Sequence, residues 1–178
     1  LVATASNQVW SWDITYLQSP IRGQFLFLYL ITDIFSRKVV GHAVHTSESA
    51  EHAAELIAVA CAAERVLRGQ LVIHSDNGSP MKGATMLATL QKLGVVPSFS
   101  RPHVSDDNPY SEALFRTLKY RPEYPSGCFA SIEAARRWVD LFVAWYNNTH
   151  FHSGIGFVAP NVRHAGDDAA VLAKRRVV

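Results

Sequence analysis

Apolar and polar residues alternate along Val9–Tyr16, with Trp10, Trp12, Ile14 and Tyr16 on one side and Ser11, Asp13 and Thr15 on the other. A period of two predicts a strand, and the polar stripe is unusual for one so rich in aromatics. Two more strands are predicted over Gln24–Thr32 and Lys38–His45. The links at Ser19-Pro20 to Gly23 and at Ser36-Arg37 are short, which favours antiparallel neighbours. The spacing of Ala54, Ile57, Ala58, Cys61 and Ala62 predicts a helix over Ser49–Leu67, with Ser47 or Ser49 as N-cap and Gly69 as the stop. Leu71–His74 reads as a fourth strand, Lys82–Leu93 as a helix ended by Gly94, and Val95–Ser100 as a fifth strand. Beyond a polar loop, Arg101–Asn108, Pro109 opens a helix to about Tyr120. Pro122, Pro125 and Gly127 break the chain. Ser131 then caps a helix to about Asn147, with Ile132, Ala135, Trp138, Val139, Phe142 and Trp145 on its apolar side.

This order predicts an α/β fold: a mixed five-stranded sheet, three antiparallel strands then two parallel, flanked by helices. A right-handed crossover lays the fourth strand parallel to the first. Asp13 and Asp76 then stand near the carboxyl ends of adjacent strands, where open α/β sheets bind ligands. Glu112, one turn into the Pro109 helix, needs only to pack across that end. Three carboxylates brought together are how proteins hold two hard divalent cations.

Composition adds bounds rather than chemistry. A chain of 178 residues, 48% hydrophobic, buries one good core. Its longest apolar run, Phe25–Ile31, is too short to span a bilayer, so no membrane partner is expected. A net charge of +2 neither demands nor excludes nucleic acid. Cys61 and Cys128 lack metal-like spacing and read as reduced thiols, which suits a cytoplasmic protein. Without an initiator Met or a leader, the sequence reads as an excised piece.

Several ordered motifs carry a resemblance. Trp12-Asp13-Ile14-Thr15-Tyr16, His74-Ser75-Asp76-Asn77-Gly78-Ser79, and Asp107-Asn108 followed by Glu112 and Leu118-Lys119 resemble the retroviral-integrase-type catalytic core. Within that Asp-Asp-Glu superfamily the sequence is most similar to bacterial insertion-sequence transposases, whose spacing between the second and third acids it matches. Trp145-Tyr146-Asn147-Asn148, His152-Ser153-Gly154 and Phe157-Val158-Ala159-Pro160 resemble the C-terminal signature of the same family. The resemblance implies an RNase H-like fold, residues 1–160 as the catalytic core and 161–178 as a basic tail or short helix. It also implies two Mg²⁺ or Mn²⁺ ions and a DNA-associated bacterial enzyme. That enzyme would nick DNA and join a 3′-hydroxyl to target DNA, working as a homo-oligomer on element ends and target. Carried over, Asp13, Asp76 and Glu112 are the catalytic metal ligands, and Asn77, Arg116 and Lys119 are DNA-contacting residues. The loop before Glu112 lacks the Gly often found there, and no helix-turn-helix segment precedes the core in this piece.

Other readings compete. Asp76-Asn77-Gly78 alone is an ordinary turn. Asp106 and Asp107 rival Glu112 as third acid, although Asp107 or Asn108 better suits a helix cap. Asp33 reads as a turn or salt-bridge residue, His103 as a solvated loop residue, and His150 with His152 as poorly spaced for zinc. Without metal, the 101–108 loop is expected to be mobile, with Glu112 turned away from the other acids. A nuclease that only hydrolyses uses the same carboxylates. A non-catalytic DNA-binding descendant of a transposase would not need all three.

Overall fold

Strand β1 (Val9–Gln18) occupies the middle of the sheet, and the alternation in its sequence is the reason both its faces can be covered. It pairs antiparallel with β2 (Phe25–Asp33), which pairs antiparallel with β3 (Val39–His45). On its other side it runs parallel to β4 (Val72–Ser75), and β4 runs parallel to β5 (Val96–Phe99). The sheet order is β3-β2-β1-β4-β5, with β4 beside β1 as the crossover argument requires. The computed structural model describes residues 2–76, 83–100 and 108–175. Asn77, His103, Asp106, Asp107 and all but Asn108 of the expected mobile loop at 101–108 lie outside them.

Each sheet face builds its own core. Trp10, Trp12, Tyr29 and Ile31 point to one side, where α1 (Ala50–Ala63) and α2 (Ala84–Leu93) cover them with Ile57, Cys61, Met86 and Leu90. Leu17, Leu28 and Leu30 point to the other, under α3 (Pro109–Lys119) and α4 (Ile132–Asn148). Strand β2 is thus buried on both sides, which explains its unbroken apolar sequence. Trp138 and Trp145 prove only partly buried against the second core, while Phe142 is inside it. Tyr16 shares the face of Trp10 and Trp12 but is 52% exposed.

Most element ends match their predicted signals. Ser49 and Ser131 cap α1 and α4, accepting from the N–H groups of His52 and Ala134, and Gly94 ends α2 in the left-handed conformation. Helix α1 departs from expectation, stopping at Ala63 rather than near Leu67. Arg65 turns left-handed at φ 53°, and the Val66 N–H donates back to Cys61 O at 2.9 Å, closing the helix. Glu64, at that end, is held by Lys38 at 2.6 Å and His164 at 2.9 Å. Gly69 has φ 80° but lies in a later turn.

Past α4, a single 3₁₀ turn (Ser153–Ile155) leads to α5 (Pro160–Ala165) and α6 (Asp168–Arg175). His164 of α5 reaches Ser36 at 2.8 Å as well as Glu64, and Ser36 donates to Asp33 at 2.7 Å. Ser36 is fully buried, so this Ser-His-Glu chain fastens α5 to the sheet and offers no accessible nucleophile. Asp33 accepts from the N–H groups of Asn7 and Ser36, the turn role expected of it.

Asn147 fastens α4 to strand β3 by accepting from Val39 N–H and donating to Val39 O, both at 2.9 Å. Replacing it with Ala strands two buried backbone groups, so Asn147→Ala should cost roughly 2–4 kcal/mol. A urea unfolding midpoint equal to the parent's would show that the edge strand does not need this clasp.

Candidate active site

The β1–β4 ladder sets the site. Ser11 is level with His74, so two residues further along each parallel strand Asp13 is level with Asp76, just past the end of β4. Neighbouring strands lie about 4.8 Å apart, so the two acids stand at adjacent positions of the sheet. The backbone beneath Asp76 is anchored, because Ser100 N–H donates to Ser75 O at 2.9 Å and His74 Nδ1 meets Ser98 Oγ at 3.1 Å.

The polar stripe on β1 seats the third acid. Ser11 is fully buried; its hydroxyl donates to Asn108 Oδ1 and lies 2.9 Å from Ser111 Oγ. Asn108 Nδ2 also reaches Trp12 O, at 3.5 Å. The start of α3 is thereby pinned across β1 one alternation away from Asp13, and Glu112 follows Ser111 directly. Asn108 stands at the N-cap position but its side chain caps nothing. It is spent on β1 instead, which corrects the capping role expected of it. Pro109 at the first helical position keeps α3 starting there without a side-chain cap.

Electrostatics report the outcome. Desolvation pushes the Asp13 carboxyl up from an ordinary 3.8 to about 7, against the lowering effect of the Ile14 N–H bond. The charges of Asp76, Glu112 and Glu48 push it the same way. Asp76 and Glu112 are exposed and Asp13 is partly buried, so the three acids line an open end of the sheet. They share an electrostatic neighbourhood without forming a closed cage. Among the described residues no three His, Cys, Asp or Glu side chains stand close enough to hold a metal ion. The donor chemistry nevertheless fits a hard cation, since every candidate ligand is a carboxylate and the one most desolvated is destabilised by its neighbours' charge.

On α3, Ser111, Leu114 and Leu118 are buried, while Glu112, Arg116 and Lys119 form an exposed stripe. Arg116 lies over the Tyr120 ring at 5.8 Å. Three contributors escaped sequence reasoning. Ser11 and Ser111 were legible only as a polar stripe and a helix residue, although Asn108 and Ser111 have the three-residue spacing of one helix face. Glu48, between β3 and α1, carried no signal at all, yet it acts on Asp13 and also pushes up the Tyr16 phenol.

Comparison with known proteins agrees with this layout. A family profile described as Integrase core domain matches residues 3–105, and a second of the same description matches residues 93–160. The transposase for insertion sequence element IS904 of Lactococcus lactis is 30% identical over 89% of this chain, which spans 61% of that protein's length. The catalytic core domain of BIV integrase has the same fold, with a TM-score of 0.66 at 19% identity over 93% of this chain and 99% of its own. The HTLV-2 integrase catalytic core domain, solved in complex with magnesium in a trimeric form, gives 0.65 at 14% identity over 88% of this chain and 96% of its own. This is the RNase H-like mixed sheet expected from the sequence.

The raised Asp13 value fixes the sign of a pH effect. Between about pH 4 and pH 7 the folded protein keeps a proton that the unfolded chain has lost, so stability falls as pH rises through that window. Asp13→Asn has no such proton. With divalent metal chelated, the parent's urea midpoint should fall relative to Asp13→Asn's from pH 4 to 7 and level off above. A difference that stays constant with pH would remove Asp13 from this role.

Proposed function

As this chain belongs to the Integrase core domain family, we propose that it is the catalytic core of an insertion-sequence transposase that cuts DNA and joins a 3′-hydroxyl to target DNA, using two Mg²⁺ or Mn²⁺ ions. The observation that carries this reading is the acid gathered about Asp13, with Asp76 and Glu112 both raising its pKa at the carboxyl end of parallel strands. Asp13, Asp76 and Glu112 would hold the metal. Bound there, paired ions activate the attacking oxygen and stabilise the leaving oxygen of an in-line displacement.

The chain's own residues do the rest. Asp13 gives up its proton before it can ligate, so metal binding below about pH 7 releases one. Ser11, Asn108 and Ser111 keep α3, and with it Glu112, from drifting off β1. Arg116 and Lys119 would hold backbone phosphates beside Glu112, and Asn77, next to Asp76, would orient the scissile strand. Such phosphate contacts position DNA without reading its sequence. DNA ends and target DNA are the proposed partners. Assembly of several copies on them is supported by the trimeric form of the HTLV-2 core. Among the described residues no helix is long and apolar enough to cross a membrane.

Asp13→Asn, Asp76→Asn and Glu112→Gln each remove charge at nearly constant volume. Each should abolish both cleavage and joining of a labelled DNA end with far-UV circular dichroism unchanged. Full activity in any one removes that residue from the ligand set, and cleavage without joining in the parent would make the protein a hydrolytic nuclease.

Arg116→Ala with Lys119→Ala should weaken DNA binding on every sequence. It should also reduce the slope of log affinity against log salt by about 1.8, or ~0.9 for each phosphate no longer neutralised. Mn²⁺ binding should be unchanged. Parental slope and affinity would mean that this stripe is only a solvated helix face.

A further inference from the structure

Tyr120 and Arg121, consecutive at the end of α3, have exchanged the surroundings their side chains ordinarily take. The Arg121 guanidinium is folded in: it lies 3.7 Å over the Trp145 ring, pairs with Glu123 at 2.9 Å and is only 20% exposed. The Tyr120 ring is 81% exposed, the most open aromatic side chain among the described residues. A lone ring in solvent needs no explanation by itself. Its company does.

Tyr120 stands eight residues after Glu112 and four after Arg116, so the three share one face of α3, with Lys119 beside them. Among the described residues neither Arg116 nor Lys119 enters an ion pair. The Arg116 guanidinium lies over the Tyr120 ring at 5.8 Å, near enough to be attracted and too far to cover it. An open ring set among unpaired cations complements a polyanion whose units carry flat faces, which is nucleic acid. Position on the helix divides the two contacts. Tyr120 is the C-cap of α3, where the negative end of the helix dipole disfavours a phosphate and the side chain has no charge to offset it. Arg116 and Lys119 suit the backbone, and the ring suits a base.

We infer that Tyr120 is a stacking platform for an unpaired base of the DNA strand whose phosphates Arg116 and Lys119 hold. The inference rests on the function proposed above and adds to it the form of DNA that the site takes. In a paired duplex each base has both faces covered by its neighbours. A protein ring can stack only on a base that has left the helix or stands at a strand end. Eight residues of helix separate the ring from Glu112 by about 12 Å along α3. That is roughly three to four steps of about 3.4 Å along one strand. The platform therefore fits a strand opened a few nucleotides from the phosphate on which the acids act.

The test compares two short DNAs of one sequence, one fully paired and the other with an unpaired run of about four bases at one end. Affinity for each is measured across a salt series for the parent, Tyr120→Ala and Tyr120→Phe, with circular dichroism as the fold control. The parent should prefer the DNA with the unpaired run. Tyr120→Ala should bind that DNA roughly 5- to 100-fold more weakly and bind the paired DNA as the parent does. On each DNA its slope of log affinity against log salt should equal the parent's, because a stacked base neutralises no phosphate. Tyr120→Phe, which keeps the ring, should match the parent. Equal affinity of the parent for both DNAs, or parental affinity in Tyr120→Ala, overturns the platform alone. So does a loss in Tyr120→Phe as large as in Tyr120→Ala, or a reduced slope, since either makes the contact one of the hydroxyl to the backbone. A parent that binds neither DNA refutes the transposase reading and the platform with it.

Discussion

The geometry of the candidate site depends on one buried polar node, the contact of Ser11 with Asn108 and Ser111. Strand β1 is covered on both faces, and an apolar residue at Ser11 would pack there without difficulty. A hydroxyl instead has to find partners, and it finds them in the first turn of α3, which comes down onto the strand. That requirement fixes where α3 begins and which of its faces points to the core. It therefore fixes the side of the helix on which Glu112, Arg116 and Lys119 emerge. The helix does not arrive through apolar packing alone, since Leu114 and Leu118 lie further along and constrain its tilt more than its start.

The same strand carries the cost of function. Asp13 is desolvated and surrounded by like charge, which raises its pKa and makes its ionised form a burden on the metal-free fold. Residues that serve only stability do not collect three acidic neighbours. A cation would relieve desolvation and repulsion together, which supports the ligand role proposed for these acids. The opposite pole of the sheet shows the contrast. There Asp33 is buried and Glu64 half-buried, but each is met by donors. The His164 hydrogen bond, helped by Lys38 against the upward push of burial, holds the Glu64 carboxyl down at about 2. At the other end, Asp13 is instead raised by burial and by the charges of Asp76, Glu112 and Glu48.

How much of this could be read from the sequence follows the range of the interactions. The five strands came from local periodicity, the antiparallel meander from short links, and the parallel pairing of β1 with β4 from the handedness of crossovers. With that pairing, the neighbourhood of Asp13 and Asp76 was already legible. Three features were not. The early end of α1 depends on Glu64 being held by Lys38 and His164, which are 26 and 100 positions away. The use of Asn108 on Ser11 rather than as a cap depends on a hydroxyl 97 positions upstream. Glu48 joins the acids because the β1–β2–β3 meander returns the end of β3, His45, to the level of Tyr16, three residues past Asp13. In each case local propensity offered a cheaper role, and a long-range polar contact overrode it.

The central claim is that Asp13, Asp76 and Glu112 are one metal-binding set. The most direct test is a crystal of the protein soaked in Mn²⁺ and measured for anomalous scattering. The account predicts anomalous peaks between Asp13 and Asp76, with Glu112 swung in to ligate and carboxylate oxygens at about 2.0–2.3 Å. Peaks elsewhere on the surface, with the three carboxylates empty at saturating Mn²⁺, would contradict it.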